Sequence, residues 1–287
     1  MIFVVLSVKL FGKAEQGNIF SCKKKVVFEL QCSGLNLFMK KFILLSLLLI
    51  SLTAESAITI ISDLDDTIKI TNTLNKAEAA RRGLFSDDVF AGMTDFFEAA
   101  KLYTDEVHVV SGSATFLHSK IERTLKKNKI EVNSITLKNP WVKQSTKDYK
   151  IAVIKKMLED SSDDIILMGD DTQYDPEVYD HISKLFPGRV IAIYIHMIQN
   201  RKIPETATKY WTTWEIFLRE HSANRMSESQ VVEAAENLIS ESKSKMIIRD
   251  FADCPKTPAP WLWQLSTGFA RQAVGLMLKL NSYCTVR

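Results

Sequence analysis

An α/β doubly wound domain, with a mainly parallel five-stranded sheet and a helical C-terminal extension, is the fold class this sequence predicts. Three observations predict it. First, five short apolar runs lack polar alternation: AITIIS (57–62), VHVVS (107–111), SITL (134–137), DIILMG (164–169) and VIAIYIH (190–196). Strands buried on both faces read this way, as in a parallel sheet covered by helices. Second, the stretches between them carry apolar residues at three-to-four spacing: MTDFFEAAKL (93–102), FLHSKIERTL (116–125), KIAVIKKMLED (150–160) and PEVYDHISKLF (176–186). Strands alternating with helices build a doubly wound sheet, with sites at the carboxyl ends of the strands. Third, strands are expected to stop near residue 200. YWTTWEIFLREH (210–221) and SQVVEAAENLISE (229–241) read as helices, and DFADCPKTPAP (250–260) as a loop.

The final segment, WLWQLSTGFARQAVGLMLKL (261–280), places Phe269, Ala273, Val274, Met277 and Leu280 on one helical face. Such a face ordinarily covers a sheet or packs on neighbouring helices. The sharper reading has this face, with Trp261 and Trp263, making peripheral contact with a membrane surface.

The chain has 287 residues and a formal net charge of +3, unevenly spread. Residues 1–56 hold 7 Lys and 3 Glu, which leaves 30 basic and 31 acidic residues in 57–287. The body is near neutral and lacks the positive field of a nucleic-acid-binding surface, so no nucleic-acid partner is expected.

The N-terminal excess has its own logic. Met39-Lys40-Lys41 precedes the apolar run Phe42–Leu52 and the small-residue site Thr53–Ala57. A short basic region, an apolar run of 11 residues and a small-residue site have the form of a secretory signal peptide at 39–56. The expectation is an exported protein, periplasmic or secreted. The leader is internal, so Met39 is read as the true start and 1–38 as an over-extension. The competing reading of the apolar run is a buried edge element. Cys22 and Cys32 fall in that leader region, while Cys254 and Cys284 belong to the body. In an exported chain the latter two either form one disulfide or remain buried free thiols.

The chemistry gathers at strand ends. ISDLDDTIKIT (61–71) sets Asp63, Asp65 and Asp66 directly after the first apolar run, closed by Thr67. Strand side chains alternate, so Asp63 and Asp65 point the same way. Aligned carboxylates repel unless protons or a cation offset them, and Mg²⁺ prefers hard oxygen ligands of this kind. A second acidic group, GDDTQYDPEVY, brings Asp170, Asp171 and Asp175 to the end of the fourth run. With the first and fourth strands adjacent, Asp170 would face Asp63. Ser111 and Gly112 close the second run in VVSGS, and Lys150 opens the third helical stretch.

Each residue also has an ordinary reading. A lone DxD is common, and Ser111 suits a turn before Gly112. Lys143 and Lys147 compete with Lys150. Asp175 before Pro176 suits a helix N-cap. What distinguishes the set is its order: carboxylates, Ser, Lys, carboxylates, each at a strand end or helix start.

That order resembles the haloacid-dehalogenase superfamily of phosphohydrolases. Its first motif is matched by Asp63-Leu64-Asp65-Asp66-Thr67, its second by Val109-Val110-Ser111, its third by Lys150, and its fourth by Gly169-Asp170 through Asp175. SDLDDTIKIT, FAGMTDFFEAA, VVSGSATFL, MGDDTQYDPEVY and FPGRVIAIYI further resemble the phosphatidate phosphatase family typified by the actin-patch enzyme, which has bacterial relatives, over roughly 58–200. The chain departs from that family at Asp171, where Ser is usual, and at Ala114, where Pro is frequent.

The resemblance implies a phosphatase domain at 57–200 and a helical extension at 201–287. It implies Asp63 as nucleophile and Asp65 as acid and base, with Ser111 and Lys150 holding phosphoryl oxygens. Mg²⁺ would sit on Asp63, Asp170 and the carbonyl of Asp65. Thr67, Gly112, Asp171 and Asp175 would support the site, Asp175 by orienting Lys150 or a metal-bound water. The implied substrate is phosphorylated, with a lipid phosphomonoester leading. A nucleic-acid end, a phosphoprotein, or a non-catalytic binding module on the same fold are the alternatives. About 43 residues lie between Thr67 and Ser111, and about 38 between Ser111 and Lys150. Helices and strands consume most of each, so no large cap is expected.

Overall fold

The computed structural model describes residues 7–11, 25–29, 56–255 and 268–286. The leader at 39–55, Cys22, Cys32, Trp261 and Trp263 lie outside them. Two compact units result, 1–55 and 56–287. In the first, β1 (Ser7–Phe11) pairs antiparallel with β2 (Lys25–Glu29).

The second unit is built on a six-stranded sheet. Its strands are β3 (Ile58–Ser62), β4 (Glu106–Ala114), β5 (Ser134–Lys138), β6 (Asp164–Asp170), β7 (Val190–His196) and β8 (Thr208–Tyr210). All neighbours pair in parallel, in the order β5-β4-β3-β6-β7-β8. The five expected strands form where the apolar runs stand. Ile60, Ile61, Ile166, Leu167 and Met168 are fully buried, as central parallel strands require.

The sixth strand corrects the expectation that strands end near residue 200. Three residues, Thr-Lys-Tyr, carry no apolar run. They join the sheet edge because the chain after β7 turns back: Met197 N–H donates to the Tyr210 carbonyl.

The strand order reverses between β3 and β6. The helices are α1 (Lys76–Phe85), α2 (Met93–Ala100), α3 (His118–Lys127), α4 (Thr146–Asp160), α5 (Asp175–Leu185), α6 (Thr213–Ser222), α7 (Glu228–Ser240) and α8 (Ala270–Thr285). Right-handed crossovers send α2 and α3 to one face and α4 and α5 to the other. In keeping with this, α4 packs on α5 and β4, while α2 packs on α6 and α7.

Two boundaries differ from expectation. Helix α4 starts at Thr146, so Lys150 lies in its second turn. Ser145 caps the helix by accepting from Asp148 N–H, and its hydroxyl donates back to the Asp148 carboxylate. This polar entry carries no apolar period to announce it. Helix α1 was not expected at all, since none of its residues is buried.

In the C-terminal part, Ala273, Leu276 and Leu280 of α8 are buried, and the helix packs on α7. Packing on a helix follows the ordinary reading, but the buried face is turned from the one expected: Val274 is exposed and Leu276 takes its place. Cys254 and Cys284 form a disulfide with a Cα separation of 6.1 Å, which fastens α8 to the loop after Ser244–Met246. No described helix is long and apolar enough to cross a membrane.

Candidate active site at the carboxyl edge of the sheet

The register of β3 on β6 pairs Ser62 with Met168. Asp63 therefore emerges beside Gly169, one residue short of Asp170, and its N–H still bonds the Met168 carbonyl at 2.8 Å. Both aspartates are buried. One oxygen from each of Asp63, Asp170 and Asp175 lies within 4.8 Å of the others.

Lys150 is the cation among them. Side chains of a helix lean toward its N-terminus, and the N-terminus of α4 sits at the carboxyl edge of the sheet because α4 follows β5. From the second turn, Lys150 thus reaches Asp63 Oδ1 at 2.8 Å and makes a short hydrogen bond to Asp175 Oδ1. The approach to Asp63 is within ion-pair distance but not aligned as a hydrogen bond, which leaves Asp63 Oδ1 without a hydrogen-bond partner. Burial pulls the Lys150 ammonium toward neutrality, yet Asp175 and Asp63 overcome it and hold the pKa above the ordinary lysine value.

Three buried carboxylates against one ammonium leave excess negative charge. Burial, opposed by Lys150, pushes Asp63 up to about 7. Burial and the neighbouring Asp175 and Asp63 carboxylates raise Asp170 well above the usual range. A divalent cation relieves that strain, and the donors are hard oxygens, one of them Asp63 Oδ1, which Lys150 approaches as an ion pair without an aligned hydrogen bond. The residues present therefore fit a magnesium-like ion.

Asp175 is the first residue of α5, with Tyr174 at the cap position, and makes no capping bond to the helix backbone. Its carboxylate is turned inward to Lys150 and to the Asp170 N–H. A buried ammonium is a stronger partner than a helix-terminal amide. Gly169 makes room for it: a Cβ there would stand 2.6 Å from both Cβ and Oδ2 of Asp175.

Asp65 faces the cavity in a cradle of hydroxyls. Thr71 Oγ1, Ser113 Oγ and Ser111 Oγ donate to it at 2.7, 2.6 and 3.2 Å. Asp66 adopts φ +60° and turns the other way. Its carboxylate accepts from the N–H groups of Thr71, Asn72 and Thr73 and from the Thr73 hydroxyl. Buried His196, kept neutral by desolvation, bonds the Asp66 carbonyl through Nδ1 at 2.8 Å and stacks on Tyr210. The reversal after Asp65 is thus held from both sides.

Thr67 is buried with its hydroxyl unpaired. Gly112 lies close to Thr146, where a Cβ would meet Cγ2 at 2.7 Å. Asp171 points away from the cavity. Its carboxylate accepts from the N–H groups of Ile198, Gln199 and Arg201, so it braces the loop after β7.

Asp63, Asp65, Ser111, Ser113 and Lys150 line one side of a cavity of about 410 Å³, with Asp170 and Asp175 buried behind them. Ala79, Ala80, Gly83 and Leu84 of α1, with Phe116 and Leu117, give it an apolar wall. Helix α1 forms one wall of the cavity. Buried Lys69 fastens it by donating to the Arg82 carbonyl at 2.8 Å, at the helix end that favours a cation. Thr71, Ser113, Lys69 and the α1 wall are site components that the sequence reading missed. Ser113 was within reach, since it stands two residues after Ser111 and so on the same side of an extended chain.

Residues 58–197 match the family model described as "Phosphatidate phosphatase APP1, catalytic domain". No curated protein matches the chain at a significant level. Among solved structures, one titled "Structure of the Pnkp1/Rnl/Hen1 RNA repair complex" is similar at 16% identity and a TM-score of 0.37, over 55% of this chain and 44% of that one. The class C acid phosphatase from Bacillus anthracis with tungstate bound is similar at 13% identity and a TM-score of 0.34, over 69% of this chain and 86% of that one. The chain spans about half the length of the first two solved structures it resembles, 44% and 55%. Likeness at these TM-scores decides nothing here. The family match identifies residues 58–197 as a phosphatase domain.

Proposed function

We propose that this domain hydrolyses a phosphomonoester through a phosphorylated Asp63, with phosphatidate as the leading substrate. The observation that carries the reading is the floor of the cavity. A buried carboxylate ion-paired to one lysine lies beside two further carboxylates, and a second carboxylate stands in a cradle of hydroxyls.

Asp63 attacks phosphorus in line; a bond forms from its carboxylate oxygen as the bond to the substrate oxygen breaks. Asp65 gives its proton to the departing alkoxide. It then takes a proton from the water that cleaves the acyl phosphate and releases inorganic phosphate. Lys150 and the Ser111 hydroxyl are within reach of the phosphoryl oxygens and stabilise their charge. Asp63, Asp170 and Asp175 would hold Mg²⁺, the Asp65 carbonyl being the further ligand the family resemblance implies; once bound, the ion supplies charge neutralisation between the anionic nucleophile and the anionic ester.

The lipid assignment is supported by the family description and by the apolar wall facing the phosphate-directed floor. Export through the leader at 39–56 is part of the same reading, and the Cys254–Cys284 disulfide supports it.

The test is phosphate release from phosphatidate, a phosphorylated DNA end, a phosphopeptide and p-nitrophenyl phosphate, with and without EDTA, beside Asp63→Asn. Activity on phosphatidate should vanish with EDTA and fall by several decades in the variant, because no second nucleophile stands in its place. A variant with parental turnover removes the mechanism. Preference for DNA ends or phosphopeptides removes the substrate. No turnover of any ester, with retained phosphate-analogue binding, makes the domain a binding module.

A further inference from the structure

Among the described residues, seven of the thirteen exposed large apolar side chains stand on segments that leave one edge of the sheet. Phe85 and Phe116 are 78% and 75% exposed, and Trp141 is 90% exposed. Leu74, Leu84, Val142 and Tyr174 are also exposed. All seven belong to segments that leave the carboxyl ends of β3, β4, β5 and β6, which are neighbours in the sheet. Leu84 and Phe116 line the same cavity as Asp63, so the apolar rim is continuous with the reaction site. Scattered exposed apolar residues mean little, but a cluster on one edge around a cleft marks an interaction surface.

Charge at the same edge names the occupant. The segments 72–88 and 138–148 carry six basic side chains, Lys76, Arg81, Arg82, Lys138, Lys143 and Lys147, against four acidic ones, Glu78, Asp87, Asp88 and Asp148. Arg82 and Glu78 neutralise each other, Asp87 is engaged by Lys120 and Lys127, and Asp148 by the cap of α4, which leaves Lys76, Arg81, Lys138, Lys143 and Lys147 against Asp88. The acidic cluster at this edge is buried, so the outer face of these two segments is locally basic. Aromatic residues on short loops, interleaved with basic ones, suit the interface of an anionic bilayer, where rings lie at headgroup depth and cations pair with phosphates.

We propose that the carboxyl edge of the sheet docks face-on to an anionic lipid surface, with Phe85, Phe116 and Trp141 entering the interface. The phosphomonoester then reaches Asp63 while its acyl chains stay in the bilayer, alongside the apolar wall of α1. The proposal deepens the phosphatidate reading and rests on it for the identity of the substrate, but not for the surface.

The test uses the full chain and vesicles of phosphatidylcholine with phosphatidylglycerol, which contain no phosphomonoester, so binding is read apart from catalysis. The protein should float with these vesicles more than with phosphatidylcholine alone. Phe85→Ser/Trp141→Ser lies outside the cavity lining; it should weaken partition by about tenfold or more while leaving turnover of p-nitrophenyl phosphate unchanged. Lys76→Glu/Lys143→Glu retains the apolar residues and should lose the preference for anionic vesicles, which keeps the test decisive if the first pair folds poorly. Absence of vesicle binding by the parent overturns the proposal, as does equal binding by both pairs. A dimer that the first pair dissolves also overturns it, in favour of a second copy on the rim. Binding without phosphatidate hydrolysis keeps the surface and removes the substrate; hydrolysis in detergent without vesicle binding does the reverse.

Discussion

Gly169→Ala is the smallest change that should uncouple the acidic cluster from Lys150. The added methyl would sit 2.6 Å from Cβ and Oδ2 of Asp175 and 2.8 Å from the Tyr179 ring. Carbon atoms pack comfortably at about 3.5–4.0 Å, so Asp175 must retreat by roughly 1 Å. Little gives way: Asp175 is fully buried, Pro176 follows it, and the Tyr179 hydroxyl is fixed to the Met168 carbonyl at 2.8 Å. Overpacking of this kind costs about 1–3 kcal/mol. A displacement near 1 Å among reacting groups costs on the order of 10²-fold in rate. Phosphate release should therefore fall by about two decades, and a thermal melt should drop by several degrees. Gly83→Ala is the comparison. Nothing lies within 4 Å of its added methyl, and replacing glycine within a helix should raise stability by about 0.5–1 kcal/mol. If Gly169→Ala kept parental turnover and melting temperature, the account of the Gly169–Asp175 contact would be wrong.

Other outcomes follow from the same contacts. Cys284→Ser opens a loop closed over a sequence separation of 30, which the chain-entropy model values at about 3–4 kcal/mol; α8 should lose protection in hydrogen exchange, and a melt unmoved by reductant would contradict this. Burial raises Glu215 from the ordinary 4.5 to about 7. A carboxyl raised on folding favours the native state while protonated, so its contribution is lost as pH rises from about 4.5 through about 7. Measured by urea unfolding, Glu215→Gln should gain on the parent by up to about 3 kcal/mol across that window; a difference constant with pH would refute the assignment.

The sequence and the fold agree where burial leaves a period. β3 and β6 were legible because they are buried on both faces and so must be apolar runs, and β7 because its second half, Ile193–His196, is buried. β8 was not, since Thr208 and Lys209 at the sheet edge need no such run. Helix α1 was hidden for a related reason: KAEAARRGLF buries no side chain and so shows no stripe toward a core. In the site, the spacing of Asp63, Asp65, Lys150, Asp170 and Asp175 was readable because strand ends fix their position. The hydroxyl of Thr71 was not, because loop residues follow no period, whereas Ser113, two residues after Ser111 in β4, could have been read from the strand alternation. Asp171 carries charge beside the cluster, yet its work is to hold residues 198–201, a contact that only the folded return after β7 creates.

Helix α1 supplies a wall but none of the groups assigned to chemistry; those come from β3, β4, α4, β6 and the start of α5. Its length and side chains can therefore drift while the hydrolytic apparatus stays intact. A chain organised this way can acquire a new ester preference by rewriting ten residues between two fixed anchors, Lys69 below and the Asp66-held turn before it. Divergence among relatives should then be heaviest in that short span.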